Sequence, residues 1–167
     1  MKSLTRPVEH LVDCDADPFV PNRCDAAPFV PNGWSVAPDS QQLPNRARGI
    51  IRLGPAPLRL YLTELQREER NMVIRGFGLL KKLANKPVLG ANVLDYLWAN
   101  KRLIPRLLPW LPIYNSAVFW GTLYYDHLGR LCVRCLLSRK GGPELSHHLV
   151  DGDWDGSDPA VLRARLP

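Results

Sequence analysis

Ala117-Val-Phe-Trp-Gly-Thr-Leu-Tyr-Tyr125, Asp126-His-Leu-Gly129 and Arg130-Leu-Cys-Val-Arg-Cys-Leu-Leu-Ser138 are the consecutive stretches that decide the fold. The outer two are rich in aromatic, branched and long apolar residues, and the middle one is a short polar turn ending in Gly. Two such runs around such a turn predict an antiparallel hairpin. Arg139-Lys-Gly-Gly-Pro143 then supplies a second turn, and residues 144–150 a third strand, so the chain from 117 to 150 reads as a meander. Strict alternation puts Phe119, Leu123 and Tyr125 on one face of the first strand and Val118, Trp120 and Tyr124 on the other. A strand aromatic on both faces is either covered on both sides or offers one face to a partner. Burial is the simpler reading because aromatics remove large apolar areas from water. The alternative makes Trp120 and Tyr124 a partner-binding pair in a protein–protein adaptor.

Upstream, residues 50–53 and 58–62 read as two short strands around Gly54-Pro-Ala-Pro57, with Leu58, Leu60 and Leu62 on one face. Thr63-Glu-Leu-Gln66 has the form of a capping box, which predicts a helix running from 64 towards 74. Gly76 and Gly78 are expected to interrupt it, with a second helical piece over 79–85 stopped by Pro87. A third helix over 91–100 carries Val93, Leu94, Leu97 and Trp98 at helical spacing. At the far end Asp158 and Pro159 suit the N-cap and first position of a last helix, 160–166. The expected fold is therefore α+β: short helices packed on a small antiparallel sheet that ends in a three-stranded meander.

The first 45 residues differ in kind. Cys14-Asp-Ala-Asp-Pro-Phe-Val-Pro-Asn22 recurs as Cys24-Asp-Ala-Ala-Pro-Phe-Val-Pro-Asn32, eight of nine positions agreeing, so a local duplication has occurred. Prolines at 18, 21, 28 and 31 withhold backbone donors and favour extended chain. This region reads as irregular, giving a proline-rich acidic arm over 1–33 and a single α+β domain over 34–167.

Charge follows the same division. The 167 residues carry a net charge of +6, yet 1–45 sum to −3, 46–110 to +9 and the remainder to zero. The mixed charges of 64–70 suit a solvated helix face. Arg75, Lys81, Lys82 and Lys86 have no acidic sequence neighbours and are the candidate nucleic-acid-binding residues, making phosphate contacts that ignore base sequence. Sixteen of the 22 cations are Arg, which a GC-rich genome alone would also produce. No apolar leader follows Met1-Lys2, and the most apolar span, 103–125, is broken by Arg106 and three prolines. A cytoplasmic protein without a membrane segment is expected.

Few motifs carry chemistry. Cys132-Val-Arg-Cys135 has the spacing of a metal or redox pair, but residues three apart on a strand face opposite sides, so the sulfurs diverge. Asp151-Gly-Asp-Trp-Asp-Gly-Ser-Asp158 opens like a calcium loop, but Leu162 stands where a bidentate Glu belongs. His147 and His148 point oppositely on a strand; His148 with Asp151 or Asp153 is the one arrangement that suggests a hydrolase. Asp13, Asp15 and Asp17 alternate on the arm without the Gly of a calcium loop. There is no phosphate-binding Gly loop, nucleophile elbow or zinc-protease helix. No catalytic residue, metal or cofactor is assigned.

Pro28-Phe-Val-Pro-Asn-Gly-Trp34, Lys86-Pro-Val-Leu-Gly-Ala-Asn-Val-Leu-Asp-Tyr-Leu-Trp-Ala-Asn100, Phe119-Trp-Gly-Thr122 and Asp153-Trp-Asp155 follow one another along the chain. Together they resemble a family of short bacterial proteins in which a helical segment precedes an aromatic meander and a closing acidic turn. The resemblance spans most of 25–165, and the family brings no known activity with it. Gly90 stands where that family usually has Asn, Arg106-Leu-Leu where acidic residues follow the Ile-Pro, and 37–48 where a polar segment follows the Gly-Trp. The functional expectation is a non-enzymatic binding module whose basic centre meets nucleic acid or another acidic partner.

Overall fold

The computed structural model describes residues 9–16, 33–69 and 71–164; the second repeat copy, Cys24 and Asp17 lie outside them. The strands and helices in chain order are β1 (His10–Asp13), β2 (Ser35–Val36), β3 (Ile50–Leu53), β4 (Arg59–Tyr61), α1 (Glu64–Glu68), β5 (Ile74–Arg75), α2 (Gly76–Leu83), α3 (Ala91–Ala99), α4 (Ile104–Leu107), β6 (Ser116–Tyr125), β7 (Leu131–Leu137), β8 (Glu144–Leu149), β9 (Asp153–Trp154) and β10 (Ala160–Leu162). The fold is α+β. Its main sheet runs β4-β10-β6-β7-β8, and β2 also pairs with β6. All of its pairings are antiparallel except β10 with β6. Two small ribbons, β1 with β3 and β5 with β9, flank it.

Strand β6 organises the molecule because both of its faces are covered. Ala117 and Phe119 join Leu136 of β7 in one core, with Val93, Leu94 and Leu97 of α3 and Ile104 and Leu107 of α4. Val118, Trp120 and Leu123 join Val133, Cys135, Trp154 and the α2 residues Leu79 and Leu83 in another. Each Val, Leu, Ile or Phe side chain so enclosed stabilises the fold by roughly 1.5–3 kcal/mol relative to exposure.

The strict alternation expected for β6 fails in the middle. Val118 pairs with Cys135 but Leu123 with Val133, so β6 spends three more residues than β7 over the same length. An odd excess turns the strand over. Leu123 therefore shares a face with Val118, while Tyr124, opposite Cys132, faces the other way. The distortion lies where Gly121 meets Gly90: a Cβ on Gly121 would stand 2.6 Å from the Gly90 nitrogen. Gly121 N–H donates to Leu89 O at 2.9 Å, and Thr122 Oγ1 accepts from Ala91 N–H at the start of α3. The bulge thus fastens the first turn of α3 to the sheet.

Four local expectations are corrected by tertiary contacts. The capping box forms, with Thr63 Oγ1 accepting from Gln66 N–H at 3.3 Å and Gln66 Oε1 accepting from Thr63 N–H at 3.0 Å. Yet α1 ends at Glu68, because Ile74–Arg75 are drawn into pairing with Asp153–Trp154. Gly76 opens α2 instead of interrupting a helix; its absent side chain makes room for Val150 O, which a Cβ would approach to 1.4 Å. The last helix is replaced by β10, which fills the slot between β4 and β6, and Asp158 caps nothing: its Oδ1 accepts from Ser116 Oγ at 2.7 Å. The arm is not irregular throughout, since His10–Asp13 pairs with Ile50–Leu53 and buries Val12.

Candidate binding surface

Helix α2 has an inner and an outer side. Leu79 and Leu83, one turn apart, are buried against the sheet. Phe77, Lys81 and Lys82 are exposed, with Phe77 and Lys81 four residues apart on one stripe. Beyond the helix a turn with Lys86 N–H donating to Leu83 O brings Lys86 back towards β4, where its Nζ sits 5.1 Å from the centre of the Tyr61 ring. None of Lys81, Lys82 and Lys86 forms an ion pair among the described residues.

Between α2, α1 and β4 lies an open groove of about 610 Å³. Lys82, Lys86 and Arg67 contribute cations to it, Glu64 and Glu68 anions, and Tyr61, Leu65 and Ile74 apolar surface. Gly78 leaves space over Ile74, whose Cγ1 would lie 3.6 Å from a Cβ there. The charges of α1, expected on a merely solvated face, line this groove.

The expected site residues are thus brought together unequally. Lys82 and Lys86 share the groove, and Lys81 is one residue away on α2. Arg75 is different: β5–β9 pairing sets its Nη1 2.7 Å from Asp153 Oδ1, so a carboxylate 78 positions along the chain neutralises it. Both side chains are exposed, so water and salt screen the pair and it adds little to stability.

Trp120 and Tyr124 do not form a docking face. Each is 0% exposed, and the bulge places them on opposite sides of the sheet. Trp120 packs on Trp154 with ring centres 4.7 Å apart. Tyr124 lies against Trp34, and burial pushes its hydroxyl up to about 12. Beside it is a feature the sequence pattern did not suggest: Arg134, 2% exposed, with Nη2 2.7 Å from Asp95 Oδ1 on α3. Burial works against the guanidinium charge, but Asp95 and Tyr124 outweigh it and hold the proton more firmly. The pair ties α3 to β7 from within.

The remaining candidates are engaged in packing. Cys132 and Cys135 belong to different cores on opposite faces of β7, and burial raises their thiols to about 11 and about 12. Cys14 rises to about 11 for the same reason, so all three are protonated thiols at neutral pH. His147 stands edge-on to Trp34 at 4.6 Å, and burial followed by the His148 charge lowers its pKa. His148 lines a cavity of about 240 Å³ with Asp153 and Asp158, whereas Asp151 takes no part in it. No hydroxyl or thiol lines that cavity, and the His148 Nε2 is buried without a hydrogen-bond partner among the described residues. In the acidic turn, Asp155 Oδ1 accepts from Ser157 N–H, so its carboxylate serves the turn. Among the described residues no three His, Cys, Asp or Glu side chains are grouped to hold a metal, and no helix is long and apolar enough to cross a membrane.

Comparison of the chain with models of protein families, with curated proteins and with solved structures found no match.

Proposed function

We propose that the protein is a non-enzymatic, cytoplasmic binding module whose basic central segment contacts an acidic partner, with Lys81, Lys82 and Lys86 making the contacts. The observation that carries this reading is the cluster of three lysines on and just after one short helix, unpaired among the described residues, two of them on a groove of about 610 Å³. Cations left without carboxylate neighbours raise the local potential and draw anionic partners by long-range attraction. Nucleic acid is the simplest such partner and provides the first probe.

Fluorescence anisotropy of a labelled mixed-sequence oligonucleotide and of labelled polyglutamate, each at several salt concentrations, tests the reading. Binding is expected to weaken steeply with salt, because each neutralised phosphate contributes a slope of about −0.7 for a single strand, or about −0.9 for a duplex, in log K against log salt. Lys81→Glu with Lys82→Glu should weaken both probes and flatten the slope by about two contacts. Arg75→Ala combined with Asp153→Ala, which removes the exposed ion pair without changing the net charge, should change little. Unchanged affinity in the double lysine variant would overturn the proposal.

A further inference from the structure

Eight large apolar side chains are exposed in the described residues, and four of them, Leu65, Met72, Val73 and Phe77, fall within positions 65–77. Of the others, Leu11 and Ile50 are diagonal neighbours on the outer face of the β1–β3 ribbon, and Ile113 and Leu128 stand singly, as exposed apolar residues ordinarily do. The largest group in sequence is the segment 65–77, which runs from α1 into the start of α2, two of the elements that border the groove, although Met72, Val73 and Phe77 do not themselves line it. Leu65 lines the groove beside Ile74 and Tyr61. Met72 and Val73 lead directly into β5, and Phe77, 56% exposed, stands one turn before Lys81 on α2. Fold-internal reasons do not account for Phe77. Leu79 and Leu83 already supply the buried side of α2, and the Phe77 ring gains nothing by facing water.

Resting on the proposed acidic-partner reading, we infer that the partner is an acidic protein segment that also presents bulky apolar side chains. Two features favour this occupant over a polyphosphate chain. Glu64 and Glu68 line the groove with Lys82, Lys86 and Arg67, and two carboxylates beside the lysines would repel phosphates at about 1.7 Å spacing of charge along a duplex. A protein segment places its carboxylates sparsely and can set them against Lys82 and Lys86 alone. The exposed apolar side chains need a complementary apolar surface, which an amphipathic segment carries on one side. Apolar contact then supplies affinity that salt does not screen, while the lysines fix register and speed encounter.

The test uses the full chain and three labelled probes: an amphipathic Leu/Glu peptide, polyglutamate of equal net charge and a single-stranded oligonucleotide. At 150 mM salt the Leu/Glu peptide should bind at least about tenfold more tightly than polyglutamate. Phe77→Ser with Met72→Ser should remove that advantage while leaving circular dichroism and polyglutamate binding at low salt unchanged. Lys82→Glu with Lys86→Glu should weaken all three probes. Equal binding of the two peptides, a preference that survives the Phe77/Met72 variant, or tightest binding of the oligonucleotide would each overturn the inference while leaving the acidic-partner reading standing. Binding of every probe that ignores the lysine variant would overturn the acidic-partner reading itself.

Discussion

The meander β6–β8 and the closing strands β9 and β10 reach their places by different routes. In the meander each strand pairs with the next one in sequence, across the turns after Tyr125 and after Leu137. At the closing end β9 pairs with β5, about eighty residues back, and β10 with β4, about a hundred back. Nothing beside β10 in sequence instructs it to be extended. Its conformation is imposed by an empty edge on β6 and another on β4, both present only once the rest has folded. Local pairing is therefore written into composition and turns, whereas the closing strands depend on surfaces assembled elsewhere.

The largest test of that difference is at Gly76, where α2 presses on the turn after β8. A Cβ there would fall 1.4 Å from Val150 O and 2.8 Å from Trp154 Nε1, neither at the far end of a flexible side chain. Gly76→Ala should cost about 4 kcal/mol or more, or prevent folding. The matched change in the meander is Gly129→Ala in the β6–β7 turn, where φ is +73° and no atom lies within 4 Å of the new Cβ. It should cost only about 1 kcal/mol, the price of the left-handed backbone. Urea titrations of both variants check the contrast, and similar losses would erase it.

The same contrast explains which expectations were legible. The meander's strands come out within a residue or two of their expected bounds, because turn chemistry and apolar runs act over four to eight residues. The capping box at Thr63 and the helix at 91–99 are equally local. What could not be read was set by contacts between distant segments. Arg75 acquires Asp153, Gly76 acquires Val150 O, Asp158 acquires Ser116, and the three-residue excess in β6 reverses Tyr124. The candidate surface divides likewise. Lys82 and Lys86 were legible as unpaired cations, but their groove exists only because α1 and β4 are folded against α2. Phe77 carried a signal in sequence, a large aromatic between two glycines, whose meaning depends on which side of α2 is buried.

Leu162→Ala tests whether the closing strand contributes as fully as a meander strand. Leu162 is 1% exposed and belongs to the core with Trp120, Leu79 and Val88. Removing it should cost about 2–5 kcal/mol by lost burial and the cavity left behind. A change below about 1 kcal/mol in a chemical denaturation series would show that β10 is fastened only loosely to the sheet. Thr63→Ala probes a local device for comparison. It deletes the hydroxyl that accepts from Gln66 N–H, and should cost about 1 kcal/mol.

The smallest effect belongs to Asp158, whose carboxylate was displaced from a capping role into the sheet's end. Burial pushes its pKa above the ordinary 3.8, and the Ser116 hydroxyl followed by the His148 charge pull back only in part. The folded protein therefore holds this proton more readily than the unfolded chain does. Stability falls as pH rises through the window between the unfolded and folded values, and the penalty is complete above it. Asp158→Asn keeps an oxygen to accept from Ser116 Oγ while removing the charge. Its melting temperature should exceed that of the parent at pH 8, with the difference shrinking on acidification and gone below the unfolded carboxylate's range. A variant that instead melts lower at pH 8 would mean that the ionised carboxylate supports the closing strand, and that the end of the sheet is held by charge as well as by packing.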